Sequence, residues 1–187
     1  AQQMVDEARG ANPDYAQPWK LQAQIYMNQE GQDKRALDKA LVAYKSYSDR
    51  NTSDPSGYLE RYRIFVKKAE FEKANEELDR IYSIYPKYPN LHFYKGAMYG
   101  VMGNHRIAAQ EYKSELENNN NSVPTMIALG KELLELQDPK GAGVYLTQAM
   151  KLAPGNADAK FYAAIANRSL KNFQGAIALY QEALRLD

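Results

Sequence analysis

Alanine recurs at a fixed interval of 34 residues through most of this 187-residue chain. The positions are Ala40, Ala74, Ala108, Ala142 and Ala176. A period of about 20–50 residues is typical of solenoids, in which each helical repeat buries its apolar face against its neighbours. A small residue in one fixed phase marks a close approach between two helices. The spacing therefore predicts an all-α fold of stacked antiparallel helix pairs.

The residues around these landmark alanines predict two helices in each repeat. Apolar side chains follow most landmarks after four and seven residues, and these offsets lie on one helical face. Pro86 and Pro154, twelve residues after a landmark, are expected to end that helix. Gly96, Gly130 and Ala164, twelve residues before a landmark, indicate a preceding helix with a small contact spot.

Polar residues at the predicted helix starts agree with this division. Asp, Asn and Ser side chains are preferred at N-caps, and proline is favoured in the first turn. The expected caps are Asp54 before Pro55, Asp138 before Pro139, and Asn104, Asn156 and Asn172.

The matching stretches are Leu129-Gly130, Gly96-Ala97-Met98-Tyr99 and the closing run from Ala176 to Ala183. With them, the pattern resembles the tetratricopeptide repeat (TPR) family over essentially the whole chain. Pentatricopeptide repeats, whose members bind RNA, have a similar length, but the phases of small residues and prolines resemble those of TPR. The resemblance implies a right-handed superhelical solenoid of antiparallel helix pairs that interacts with other proteins.

The same period divides the chain into repeats of one continuous solenoid domain. Residues 1–15 are predicted to be the second helix of a truncated repeat, and the last repeat to lack its terminal cap, so we expect a segment of a longer protein. Tyr62 stands where other repeats have Gly or Ala, which predicts a splayed or repacked helix pair. The remaining repeats are 16–54, with a five-residue insertion around Gly31–Arg35, then 55–88, 89–122, 123–156 and 157–187.

Composition narrows the classes of function. A net charge of +1 gives no general attraction to nucleic acid, so no nucleic-acid partner is expected. The absence of cysteine excludes disulfides and cysteine-ligated zinc. No run of apolar residues is long enough to span a membrane. We expect a soluble protein, with the cytoplasm and the bacterial periplasm or envelope left open and a bacterial assembly as the preferred setting.

The sequence predicts neither an enzyme nor a cofactor. His92 and His105 lack the helical spacing of a zinc-ligand pair and are interpreted as surface or interhelix histidines. The run Gly141-Ala142-Gly143 lacks the lysine and strand of a phosphate loop and is interpreted as tight helix packing.

Two charged clusters are interpreted as solvated helix faces. The first contains only carboxylates and shows no confined acid–base pair. The second is basic and stands beside aromatic residues, but acidic residues follow it at once. The acidic cluster is Glu70, Glu72, Glu76 and Glu77; the basic one is Arg61, Arg63, Lys67 and Lys68.

The TPR resemblance assigns a concave groove to the first helix of each repeat. Leu59, Phe93 and Ala128 stand where a carboxylate-binding TPR groove needs polar residues, so an apolar groove is expected instead. Whether its aromatic rings face the groove or pack against neighbouring repeats is left open. The predicted groove residues are Arg63, Lys67, Tyr88, Phe93, Tyr94, Ala97, Ile127, Lys131, Phe161, Tyr162 and Ile165.

Three functional hypotheses follow. The preferred one is a non-catalytic scaffold that binds a helix or peptide of a partner protein in the groove. The alternatives are a self-assembly module that forms a homo-oligomer through residues 1–14 or 171–187, and an accessory array of a larger enzyme.

Overall fold

The computed structural model describes residues 2–186, and they form eleven α-helices without a β-strand. Ala1 and Asp187, at the ends of the first and last predicted repeats, lie outside the described residues. The helices are α1 Gln2–Ala11, α2 Gln17–Asn28, α3 Ala36–Arg50, α4 Ser56–Lys67, α5 Phe71–Ile84, α6 Leu91–Val101, α7 His105–Asn118, α8 Val123–Glu135, α9 Pro139–Leu152, α10 Ala157–Ser169 and α11 Phe173–Leu184.

The chain forms two compact units, residues 1–89 and residues 90–187. In the first unit, α2 pairs with α3 and α4 pairs with α5. In the second unit, the pairs are α6 with α7, α8 with α9, and α10 with α11. Helix α8 also packs against both α6 and α10, so the first helices of these three pairs lie side by side.

The landmark alanines lie in the second helix of each pair and are buried. Ala40, Ala74, Ala108 and Ala142 have no exposed surface, and Ala176 is 3% exposed. Their burial follows from the amphipathic stripe, because the landmark and the residue four positions later face the paired helix.

Glycine allows two of these pairs to approach closely. A Cβ atom added to Gly96 would lie 2.7 Å from the ring of Tyr112, and one added to Gly130 would lie 2.6 Å from Cγ of Leu146. In the first unit, α4 has a glycine of this kind at Gly57, which faces Tyr47 of α3. Tyr62 itself is buried.

The connections within the pairs have nearly the same construction. Residues 68–70, 102–104, 136–138 and 170–172 form short turns, whereas the longer segment 29–35 joins α2 to α3. Each short turn places one residue in the left-handed region, with φ between 57° and 73°. These four residues, themselves 34 positions apart, are Ala69, Gly103, Gln137 and Lys171.

A backbone hydrogen bond closes each of these turns. The N–H after the left-handed residue donates to the carbonyl five residues before it, as from Asn104 to Tyr99 and from Asp138 to Leu133. This is the longer hydrogen bond of a Schellman motif, which satisfies carbonyls at the end of a helix. Only Gly103 is a glycine, so a left-handed backbone is strained for the other three residues.

Most of the expected caps lie at helix starts. The side chains of Asp138, Asn156 and Asn172 accept hydrogen bonds from the backbone N–H groups of Gly141, Ala159 and Gly175, respectively. Asn104 precedes α7, but its side chain makes no capping hydrogen bond.

The interpretation of Gly141-Ala142-Gly143 as tight helix packing is wrong for both glycines. A Cβ atom on Gly143 would meet nothing within 4 Å, and one on Gly141 would meet the carboxylate of the Asp138 cap. Only Ala142 is buried at a helix contact.

Substituting Gly130 by alanine should destabilise the second unit. The new methyl group would overlap Leu146, and overpacking of this kind costs about 1–3 kcal/mol. Gly143→Ala is the matched control; because its methyl group meets open space, we expect unchanged or slightly increased stability. Urea unfolding of the full chain followed by circular dichroism measures both, and an equal effect of the two substitutions would contradict the packing role of Gly130.

Candidate partner-binding surface

The predicted basic residues of the first unit are engaged by carboxylates. Arg63 pairs with Glu60 at 2.6 Å, and Lys67 pairs with Glu30 at 2.5 Å. Lys68 donates to Asp38 at 2.6 Å, and this bond and its contact with Glu70 raise the pKa of Lys68. The basic cluster is therefore largely neutralised within the unit.

Arg61 and Glu77 correct the expectation that these two clusters are solvated. Nη2 of Arg61 lies 2.8 Å from Oε1 of Glu77, and both side chains are buried, with 10% and 2% exposed. Burial raises the pKa of Glu77 against the attraction of Arg61, and it lowers the pKa of Arg61. The two charges occupy core positions of α4 and α5, where they hold one another.

Tyr88 lies between α5 and α6 and belongs to the first unit. It is half-buried, and its backbone N–H donates to the carbonyl of Tyr85. The remaining predicted groove residues all belong to the second unit.

Eight of the predicted residues lie on the three adjacent first helices of the second unit. We call this set the α6–α8–α10 face. It consists of Phe93, Tyr94 and Ala97 on α6, Ile127 and Lys131 on α8, and Phe161, Tyr162 and Ile165 on α10.

Aromatic contacts hold the rings of this face in place. The ring centroids of Phe93 and Tyr112 lie 5.6 Å apart, and those of Phe161 and Tyr180 lie 5.7 Å apart, so each phenylalanine leans on the second helix of its own pair. Phe161 also meets Tyr162 edge to face at 5.4 Å. Phe161 nevertheless remains 45% exposed, and Phe93 is half-buried. The rings thus pack within their own pairs and also keep accessible surface.

The middle helix of the face combines an apolar residue with a charge. Ile127 is half-buried against the cluster formed by Met126, Ala149 and Ala159. Lys131 follows one turn later and is exposed. None of the ion pairs described for residues 2–186 involves Lys131.

The two histidines contact carboxylates on neighbouring helices. Nδ1 of His92 lies 2.8 Å from Oε2 of Glu111, and Nδ1 of His105 lies 2.7 Å from Oε2 of the buried Glu132. Residues 2–186 contain no cluster of three or more metal-binding side chains. None of the helices within that range is long and apolar enough to cross a membrane.

Helix α11 carries an exposed apolar stripe. The sequence analysis proposed residues 171–187 as a possible self-assembly segment but did not name the side chains of this stripe. Phe173, Ile177 and Leu184 are 59%, 57% and 77% exposed. The equivalent residue to Ile177 on α7 is Ala109, which is buried in one cluster with Leu129 of α8. The spacing of four and seven residues between these apolar side chains was the available sequence signal.

A cavity in the first unit lies beside the single tryptophan. It has a volume of about 390 Å³ and is lined by Asp6, Arg9, Gly10, Pro13 and Trp19. The guanidinium carbon of Arg9 lies 3.8 Å from the centroid of the Trp19 ring. The sequence analysis did not single out these residues.

Comparisons with known proteins agree with the repeat pattern. A tetratricopeptide repeat family model matches residues 127–187. No curated protein matches the chain in sequence.

Many solved structures share the fold, and three of them illustrate the similarity. YrrB, described as a TPR protein with an unusual peptide-binding site, is 18% identical, with 100% of this chain and 94% of that chain covered and a TM-score of 0.68. A MamA segment from Desulfovibrio magneticus RS-1 is 14% identical, with 88% and 94% covered and a TM-score of 0.70. Yeast Tom70 is 15% identical and has a TM-score of 0.78; the match covers 100% of this chain but 39% of Tom70.

Paired helices with a fixed 34-residue period define an all-α helical repeat protein of the solenoid class, as the sequence predicted. The tetratricopeptide repeat model matches the last third of the chain, and the whole chain has the fold of the TPR protein YrrB.

Removing Glu77 should destabilise the first unit strongly. Glu77→Ala leaves the buried Arg61 without its partner, and breaking a buried ion pair in this way costs about 3–5 kcal/mol. Glu76→Ala is the matched control, because the Glu76 side chain is exposed and we expect a change within about 0.5 kcal/mol.

Urea unfolding of the full chain measures both variants. The double variant Arg61→Met with Glu77→Leu should regain most of the lost stability, since it removes both charges together. Equal stability of Glu77→Ala and the unaltered chain would show that the pair does not hold α4 to α5.

Proposed function

We propose that this protein is a non-catalytic scaffold that binds a helix or an extended segment of a partner protein on the α6–α8–α10 face. The observation that carries the proposal is the set of partly accessible aromatic and aliphatic side chains on three adjacent helices, with Phe161 the most exposed aromatic ring among them. Exposed apolar surface of this kind marks interaction sites on folded proteins.

The way these rings are held favours binding. Phe161 touches Tyr162 and Tyr180, and Phe93 touches Tyr94 and Tyr112. A ring already fixed by its neighbours loses little conformational entropy when a partner covers its remaining surface. Aromatic anchors of this type dominate the energy of many protein interfaces.

The similarity to YrrB supports peptide binding as the mode of interaction, because that protein shares the fold and is described as having a peptide-binding site. In the first unit, Arg63, Lys67 and Tyr88 remain proposed contact residues. Arg63 and Lys67 already hold Glu60 and Glu30, so a partner would have to replace these carboxylates with its own.

Selection of peptides from a random library displayed on phage tests the proposal. The immobilised full chain should enrich peptides that contain aromatic or aliphatic residues. Phe161→Ser should lower the affinity for the enriched peptides about tenfold or more, because it removes the most accessible aromatic ring of the face.

The matched control is Val144→Ser on α9, where the valine is 65% exposed and lies outside the face. Its affinity for the peptides should equal that of the unaltered chain. If a folded Phe161→Ser variant binds the peptides unchanged, the α6–α8–α10 face is not the binding site.

A second candidate function is self-association through α11. The face of α7 that carries Ala109 packs against α8, and the face of α9 that carries Met150 packs against α10. On α11 the same face carries Phe173, Ile177 and Leu184, and these larger side chains are left exposed by residues 2–186. We infer that a second copy of the chain covers this stripe, with the two α11 helices packed against each other.

Sedimentation velocity tests the second candidate. The unaltered chain should form a dimer as its concentration rises, and Ile177→Glu should abolish it by placing a charge within the apolar contact. Val144→Glu, which changes a similarly exposed residue on α9, should leave the dimer intact. A chain that stays monomeric at millimolar concentration would exclude this function.

A further inference from the structure

We propose that the partner segment bound on the α6–α8–α10 face carries an acidic side chain that pairs with Lys131, with apolar residues on either side of it. This inference rests on the proposed function and specifies the chemistry of the partner.

The charges of the structure single out Lys131. It is the one charged residue of the α6–α8–α10 face as defined above, and it is exposed. Two lysines on other first helices are engaged within the chain: Lys67 by Glu30, and Lys160 by Glu182. No such ion pair is described for Lys131 within residues 2–186, so its ammonium group can donate to a carboxylate of a partner.

The acidic residues near Lys131 on its own helix do not neutralise it. Glu132 is buried and bonded to His105, 2.7 Å away. Glu135 is exposed and follows Lys131 by four residues. An ion pair on a helix is weaker when the lysine precedes the glutamate than in the reverse order. An exposed pair of that kind is easily exchanged for a better-placed carboxylate.

The neighbouring helices α6 and α10 also carry charged residues. Lys95 on α6 has an interaction of its own within the chain, and Lys160 on α10 is paired with Glu182. Asp158 and Arg168 stand in the first and last turns of α10, away from the middle of that helix. A partner carboxylate placed over α8 therefore meets Lys131 as its main opposite charge.

The position of Lys131 also sets the spacing within the partner. Ile127 precedes it by four residues, which corresponds to about 6 Å along the axis of α8. Side chains two residues apart in an extended segment, or four apart in a helix, are separated by about 6–7 Å. The acidic residue should thus lie two residues from an apolar anchor in an extended segment, or four residues from it in a helical one.

The flanking apolar surface makes this ion pair selective. Helix α8 packs against α6, which carries Tyr94, and against α10, which carries Phe161. A bound segment that covers these rings also excludes water around Lys131, and a charged hydrogen bond is stronger where water is excluded. The pair then fixes the register of the segment as well as contributing affinity.

A charge-reversal selection tests the inference. The same phage-displayed random library is panned on the unaltered chain and on Lys131→Glu. The unaltered chain should enrich peptides with Asp or Glu at one position beside an apolar residue, and Lys131→Glu should enrich Lys or Arg at that position. Lys113→Glu, an exposed lysine on α7, is the matched control for net charge and should keep the acidic preference.

One enriched peptide then gives the decisive measurement. Replacing its acidic residue with lysine should weaken binding to the unaltered chain at least tenfold, and Lys131→Glu should restore most of that loss. Peptides that lose binding to Phe161→Ser but show no acidic preference would overturn the role of Lys131 while the proposed function stands. Failure to enrich any peptide on the folded full chain would overturn both.

Discussion

The close approach of the two helices in a pair is the constraint on which the second unit depends. At Gly96 and Gly130 there is no room for a Cβ atom, because Tyr112 and Leu146 fill the space above these glycines. Each contact fixes how near the second helix lies to the first, and with it the position of the landmark alanine. The alignment of α6, α8 and α10 follows from the repetition of this contact together with the packing of α8 against both neighbours. The face proposed to bind a partner is therefore set by residues that lie behind it.

Much of this fold could be predicted from the sequence, because contacts that repeat from one helix pair to the next require similar residues at a fixed interval. The buried landmark alanines and the Asp138, Asn156 and Asn172 caps lie where the 34-residue period places them. The left-handed residues of the turns could not be predicted from the sequence. They recur with the same period, but their side chains share no property, so no sequence pattern marks their positions.

The charges could not be assigned from the sequence for a physical reason. Arg61 and Glu77 are residue types that usually lie on solvent-exposed helix faces. Only the packing of α4 on α5 shows that they are buried together. Lys67 and Lys131 both lie on first helices, and their local sequences do not show which of them is paired. The partner of Lys67 is Glu30, far away in the chain, and such long-range pairing is set by how helices stack. The residues of the candidate face were assigned by the TPR resemblance, and helical phase alone does not distinguish a concave position from one packed between helices.

The Schellman turns have a consequence for how proteins of this architecture can change. The turn between paired helices is closed by backbone groups, and it is found with alanine, glycine, glutamine or lysine at its left-handed position. A joint made by the main chain places few demands on side chains. Mutation can then alter the outward-facing residues of a helix pair without disturbing the turn that joins its two helices. A scaffold joined in this way can acquire a new partner by exchanging surface residues while its architecture is inherited unchanged.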